Sequence, residues 1–162
     1  MAVNSYFQHP PFNAFPFKNF LQVIDKMEYL GENEEFSPYE VSPGTDLCIS
    51  DTYYSLRFLV YLHSFGRVTQ DGNKWFITPN SKGEIPTEKP HRYSLIADAV
   101  EILQALAKGN KTTDEIKPSV SDLADQTISD YLNVLRLLTQ KGKIEQRSSG
   151  WDATFVLTEW DK

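Results

Sequence analysis

The chain has 162 residues and a mass of 18.6 kDa, which suffices for one ordinary domain or two very small ones and excludes a large multidomain enzyme. Hydrophobic residues make up 40% and aromatic residues 13%, a globular composition that argues against disorder along the whole chain. Acidic residues number 22 against 16 Lys and Arg, and the net charge of −6 disfavours a protein whose main work is neutralising phosphates.

Cysteine content and hydropathy indicate the cellular compartment in which the protein is expected. Cys48 is the only cysteine, so an intrachain disulfide and a disulfide-stapled secreted scaffold are excluded. The first 16 residues lack the basic and apolar regions of a signal peptide, and no stretch approaches the roughly 18 apolar residues of a membrane-spanning helix. We therefore expect a cytoplasmic protein.

The first half of the chain predicts three helical segments and a β-hairpin. Prolines at 10, 11 and 16 favour an extended segment over residues 1–16. Apolar spacing then predicts a helix from Phe17 to Leu30 that ends at Gly31. The remaining signals predict a helical turn at 38–41, a long helix over 52–64 with Ser50 or Asp51 as N-cap, and a hairpin of strands 67–70 and 74–78.

The second half repeats this order after a linker. The stretch from Pro79 to Arg92 has three prolines and no apolar periodicity, which predicts a linker over residues 80–92. Thr112 and Glu115 have the spacing of a capping box. Around it the sequence predicts a helix over 95–106, a long helix over 127–141, and a hairpin of strands 143–146 and 154–158.

The two halves align at an offset of 76 residues, which matches Gly66 with Gly142. Apolar positions then coincide, as do Trp75 and Trp151 in the two hairpins. Helices followed by a two-stranded wing are typical of a winged helix, so we predict an α+β fold with two tandem winged-helix domains, 17–79 and 93–162. Each tryptophan is expected to be buried against the helices of its own domain, because an isolated hairpin is marginally stable.

Catalytic motifs are missing from the sequence. The three histidines are scattered, no metal-ligand spacing occurs, and no phosphate-binding or hydrolase motif is found. Cys48 and His63 are one conceivable nucleophile and base, but a lone cysteine beside a helix start is more often packed. We expect a protein without catalytic residues, metal or cofactor.

The first long helix carries an aromatic stripe on the side opposite its predicted core face. The stripe consists of Tyr54, Phe58 and Tyr61, and Arg57 is the only Lys or Arg in that helix. An aromatic outer face suits a protein partner better than phosphates. The alternative is that the stripe packs against the other winged helix of the same chain.

The second long helix has a polar face formed by Ser129, Asn133, Arg136 and Gln140. Such a face either reaches base edges in a DNA groove, contacts a protein, or is simply solvated. Residues 17–79 have a net charge of −4 and residues 93–162 of −3, so neither domain is basic. The charge balance therefore favours recognition of proteins over DNA, with nucleic acid as the less favoured partner.

The N-terminal segment carries a proline and phenylalanine motif, PPFNAFP, made of Pro10, Pro11, Phe12, Asn13, Ala14, Phe15 and Pro16. The paired prolines favour polyproline geometry, and the two phenylalanines offer large apolar anchors to a partner protein. The alternative is that these aromatic side chains fold back onto the first winged helix.

This motif, placed before a tandem winged helix, resembles the vacuolar protein sorting 25 family, the small subunit of the ESCRT-II membrane-sorting complex. The resemblance implies a non-enzymatic assembly subunit for protein transport and endosomal sorting, peripheral to membranes through its partners. It also implies that the N-terminal segment docks onto core winged-helix subunits and the second winged helix onto an ESCRT-III-like subunit. The simple, acidic layout would suit an archaeal version. The long linker at residues 79–92 departs from the family pattern.

Two other functions remain open at this point. A DNA-binding tandem winged-helix protein, such as a transcription regulator or the recognition module of a restriction system, is the main alternative. A chromosome-segregation accessory protein that clamps a peptide is the weaker one.

Overall fold

The computed structural model describes residues 15–78, 97–109, 111–148 and 153–160. We call residues 15–78 the first half and the described residues from 97 to 160 the second half. The first half contains α1 (Phe15–Leu30), β1 (Glu35–Phe36), α2 (Pro38–Val41), α3 (Ile49–Phe65), β2 (Arg67–Asp71) and β3 (Lys74–Thr78). The second half contains α4 (Ala97–Ala107), β4 (Lys111–Thr112), α5 (Thr113–Ile116), a 3₁₀ turn (Lys117–Val120), α6 (Asp125–Gln140), β5 (Lys143–Gln146) and β6 (Phe155–Thr158).

Helix α1 begins earlier than the sequence predicts. Phe15 and Pro16 belong to its first turn, so the prediction of an extended segment reaching residue 16 is wrong at its end. Proline is tolerated there because the first helical N–H groups have no partner within the helix. Of the apolar positions that define its spacing, Leu21 and Leu30 are half-buried and the others are buried, namely Phe17, Phe20, Ile24 and Met27. Val23 is buried as well.

Helix α3 begins at Ile49, three residues before its predicted start. Cys48, and neither Ser50 nor Asp51, is the N-cap, and its Sγ accepts a hydrogen bond from the Asp51 N–H at 3.4 Å. In the second half, the capping box of Thr112 and Glu115 is confirmed. A matching box joins Ser37 to Glu40 at the start of α2. The two boxes place α2 and α5 at equivalent points of the repeat.

Strands β1 and β4 were not predicted, and they change the architecture. Each has two residues and lies just before a short helix. β1 pairs antiparallel with β6 of the second half, with Phe36 opposite Phe155. β4 pairs antiparallel with β3 of the first half, with Lys111 opposite Trp75. The two sheets have strand orders β1-β6-β5 and β2-β3-β4, so each hairpin completes the sheet of the other half.

The hairpins also pack on helices of the opposite half. β2 lies against α6 and β3 against α4, while β5 lies against α3. Trp75 is buried, as expected for a hairpin anchor, and its strand β3 packs on α4 of the opposite half, a neighbour that the prediction did not include. Trp151 lies outside the described residues. One hydrophobic core therefore runs through both halves, from Phe17 and Leu59 to Leu135 and Phe155.

The observed fold is α+β, with two small antiparallel sheets of three strands. The division at a linker over 80–92 stays a prediction, because those residues lie outside the described part. Exchange of the hairpins means that the predicted sequence boundary does not separate two independent packing units.

Candidate functional site

The centre of the molecule is a crossing between the ends of the two long helices and the opposite hairpins. His63, in the last turn of α3, accepts a hydrogen bond at Nδ1 from the Ile144 N–H of β5 at 2.8 Å. Its Nε2–H donates to the Leu138 carbonyl of α6 at 2.7 Å. Thr139, the residue 76 positions after His63, accepts from the Val68 N–H of β2 at 3.1 Å. In each half, the equivalent residue in the last turn of the long helix therefore accepts a hydrogen bond from the hairpin of the other half.

His63 is neutral in this setting. Its side chain is buried, and burial, with the Lys143 charge adding to it, lowers the pKa of His63 to about 4, against the opposing hydrogen bond to Leu138. Trp160 covers the ring edge to face at a centroid distance of 5.5 Å and donates from Nε1 to the Thr139 carbonyl at 2.8 Å. Both ring nitrogens serve structural hydrogen bonds, so His63 is a structural residue.

The geometry excludes Cys48 and His63 as a catalytic pair. The two residues flank opposite ends of α3, which places them about 22 Å apart at 1.5 Å per residue. Within the described residues, no group of three or more His, Cys, Asp or Glu side chains is arranged to hold a metal ion.

The aromatic stripe of α3 is only partly accessible. Phe58 is fully buried and stacks on Phe20 of α1 at a centroid distance of 4.3 Å. It is therefore not available to a partner protein, because it packs on α1 within the core. Tyr54 and Tyr61 are half-buried, and desolvation raises the pKa of Tyr61 to about 12. The stripe is largely a core element of this chain.

The predicted polar face of α6 does form a continuous row. Asn133 donates to the Ser129 carbonyl at 2.9 Å, and Arg136 donates to the Asn133 side-chain oxygen at 3.1 Å. Ser129, Asn133 and Arg136 are half-buried, and Gln140 is exposed. Two hydrogen bonds within the helix thus link Ser129, Asn133 and Arg136, while most N–H donors of Arg136 are not used in them.

The C-terminal part of this row borders a cleft between α6 and β2. Its cavity volume is about 340 Å³, and it is lined by Arg67, Val68, Thr69, Gln70, Arg136 and Gln140. Sequence reasoning found Arg136 and Gln140 but missed Arg67 and Thr69, because nothing in the sequence predicts that β2 crosses to the opposite half.

The N-terminal motif lies mostly outside the described residues. Pro10, Pro11 and Phe12 are in residues 1–14, and of Phe15 and Pro16 the structure describes the helical backbone. The docking of this segment therefore stays a prediction from sequence. Among the described residues, no helix has the length and hydropathy needed to cross a bilayer.

Comparison with known proteins returned no match to any family model, to any curated protein or to any solved structure.

Proposed function

We propose that this chain is a non-catalytic assembly subunit that recognises other proteins, and that its fold is a pair of winged helices with exchanged wings. The order helix, strand, short helix, long helix and hairpin occurs twice, which supports the winged-helix assignment. The exchanged hairpins and the shared core join the two modules, as suits a subunit that holds partners at fixed positions.

The observation that carries the proposal is the covering of both long helices. In a DNA-reading winged helix, the long helix needs an exposed polar face that enters the major groove. Along α3, exposed side chains are confined to Ile49, Ser50 and Arg57, and along α6 to Asp125, Gln126 and Gln140. Each helix also packs against the hairpin of the other half, and this limited exposure supports protein assembly over the reading of a DNA groove.

Charge supports the same conclusion. The exposed start of α6 carries Asp125, and Asp130 follows with its Oδ1 accepting from Gln126 at 3.0 Å. Carboxylates at this end repel the phosphate backbone that a recognition helix approaches. With a chain charge of −6, nonspecific attraction to nucleic acid is weak.

The specific role we propose is that of an ESCRT-II-like subunit, which rests on the resemblance carried by the PPFNAFP motif. In this role, Phe12 and Phe15 anchor the N-terminal segment on winged-helix partner subunits, and the second half binds an ESCRT-III-like subunit. Tyr54 and Tyr61 contribute at most the edges of their half-buried rings.

A paired experiment tests the proposal. The tagged chain is expressed in its native cells and captured with nuclease treatment, beside Phe12→Ala/Phe15→Ala and a control, Tyr29→Ala, whose exposed ring lies on α1. We expect a defined set of winged-helix partners with the wild type and the control, and loss of that set with the double variant, since anchors of this kind contribute about 2 kcal/mol or more each. Retention of the same partners by the double variant, with a lower melting temperature, would contradict docking and favour the folded-back alternative.

A duplex titration tests the runner-up. We expect fluorescence anisotropy to give a dissociation constant for a random duplex weaker than the roughly 10⁻⁴ to 10⁻⁶ M of nonspecific binders at physiological salt. Micromolar binding with a steep salt dependence would overturn the protein-assembly proposal in favour of a DNA-binding protein.

A further inference from the structure

We propose that the cleft between α6 and β2 binds an oxyanion group, a phosphate or a carboxylate, of a small ligand. This inference is independent of the assembly role, because it rests on the described residues of the cleft alone.

The lining of the cleft is cationic and free of carboxylates. Arg67 opens β2 from one side, and Arg136 projects from α6 on the other. Gln140 adds a side-chain amide to the lining and Thr69 a hydroxyl, while the Gln70 amide already donates to the Gly72 carbonyl at 3.1 Å. Two guanidinium groups on facing elements suit a planar or tetrahedral oxyanion, which accepts paired hydrogen bonds from each.

Two solvent-shielded polar atoms of residues that line the cleft make no hydrogen bond within the described structure. Arg136 donates one Nη2–H to Asn133, but its Nε–H is buried and makes no hydrogen bond. The Thr69 hydroxyl is likewise buried without a partner. An unsatisfied donor on a charged group is costly, so a guanidinium that turns towards a ligand oxygen gains a strong hydrogen bond. Within the described part of the chain, neither Arg67 nor Arg136 forms an ion pair.

The repeat supplies an internal comparison. The residues 76 positions away from Arg136 and Gln140 are Val60 and Ser64 of α3, and those equivalent to Arg67 and Thr69 are Lys143 and Glu145 of β5. There, Glu145 contacts Lys143 at 3.1 Å and Arg147 at 3.1 Å, so the cations are neutralised inside the chain. The fold therefore does not require unpaired arginines at this corner, and only the α6 copy carries them.

The size of the cleft favours a small ligand over a duplex. About 340 Å³ is at the lower end of small-molecule sites, and the walls are formed by a helix and a strand that already contact one another. A duplex backbone presents a row of phosphates on a convex surface and needs a row of cations, whereas this cleft concentrates two.

Calorimetric titration of the full chain with inorganic phosphate and with citrate, at ionic strength held constant with chloride, tests the inference. Arg67→Gln and Arg136→Gln remove the two charges, and Arg147→Gln, which removes an arginine just after β5 that is paired with Glu145, is the control. We expect saturable one-to-one binding of at least one anion, weakened about tenfold or more by either cleft variant and unchanged by the control, since hydrogen bonds to charged groups contribute roughly 1.5–3 kcal/mol.

The titrations distinguish the class of ligand that the cleft binds. Binding of phosphate alone assigns a phosphorylated ligand, binding of citrate alone a carboxylate, and binding of both the shared oxyanion site. Arg67 is exposed, so Arg67→Gln decides the result if Arg136→Gln fails to fold. No saturable binding of either anion, an equal loss in Arg147→Gln, or binding of a duplex alone would overturn the proposal.

Discussion

His63 and Thr139 occupy equivalent places in the two halves, and each accepts a hydrogen bond from a main-chain N–H of the other half's hairpin. The donors, Ile144 and Val68, are equivalent as well. The last turn of each long helix therefore fixes the register of the opposite hairpin. Because the two crossings share one core, loss of either is expected to affect the whole chain.

The buried imidazole of His63 makes stability depend on pH. Its pKa is about 4 in the folded chain and about 6.5 when unfolded, so between these values the unfolded state binds more protons and stability falls as pH falls. We expect a loss of about 2 kcal/mol between pH 7.5 and pH 5, measured by urea unfolding. His63→Gln is less stable at pH 7.5 and should lack this part of the slope. An identical slope in the variant would show that other groups cause it.

Trp75 is 4% exposed and lies on β3, the strand of the first hairpin that packs on α4. Trp75→Ala should lower the free energy of unfolding by about 3–5 kcal/mol, because a large cavity forms between the halves. Lys74→Ala, on the exposed neighbour, is the control and should stay within about 0.5 kcal/mol. Since one core spans both halves, denaturant titration followed by circular dichroism should remain a single transition. Two separate transitions would contradict the shared core.

Gly142, in the turn between α6 and β5, lies close to the backbone of β6. Its φ is +138°, and an added Cβ would lie 2.5 Å from the Thr158 carbonyl oxygen of β6. Gly109 has a similar φ of +150° but no atom within 4 Å of an added Cβ. Both alanine variants carry the same backbone strain, so Gly142→Ala should be about 1–3 kcal/mol less stable than Gly109→Ala. Equal unfolding free energies would show that β6 yields without cost.

Cleavage of the linker tests the exchange of hairpins directly. A protease site placed within residues 80–92 yields two fragments, which we expect to co-elute on gel filtration and to separate only in denaturant. The N-terminal fragment made alone should lack cooperative unfolding, because β3 then has neither β4 nor α4 to pack against. Two independently folded fragments would establish separate domains instead.

Local elements were largely predictable from the sequence, whereas their partners were not. The hairpin over 67–78 follows from β-branched and aromatic residues around Asp71-Gly72, a signal contained within a few positions. Trp75 pairs with Lys111, which is 36 residues away in the sequence. No local sequence pattern encodes a pairing over that separation. A two-residue strand such as β1 is too short for any alternation to show.

For the candidate site as well, the face that residues share on one helix was predictable, whereas contacts between elements were not. Helical spacing predicted that Ser129, Asn133 and Arg136 share a face, and they do. The burial of Phe58 was missed because an all-round apolar helix has two candidate core faces, and Phe20 of α1 covers the second one. Arg67 entered the cleft only through the exchange.

Because the hairpins are exchanged, the first hairpin is synthesised well before the strand that completes its sheet. The first hairpin is fully synthesised once Thr78 has been added. The third strand of its sheet, β4, begins at Lys111, 33 residues later. At about 5–20 residues per second, Trp75 waits roughly 2–7 s for β4, and the His63 acceptor waits longer still for Ile144. During that interval the nascent chain exposes an unpaired strand edge and an indole, so its yield in cells depends on protection of the first half until the second has emerged.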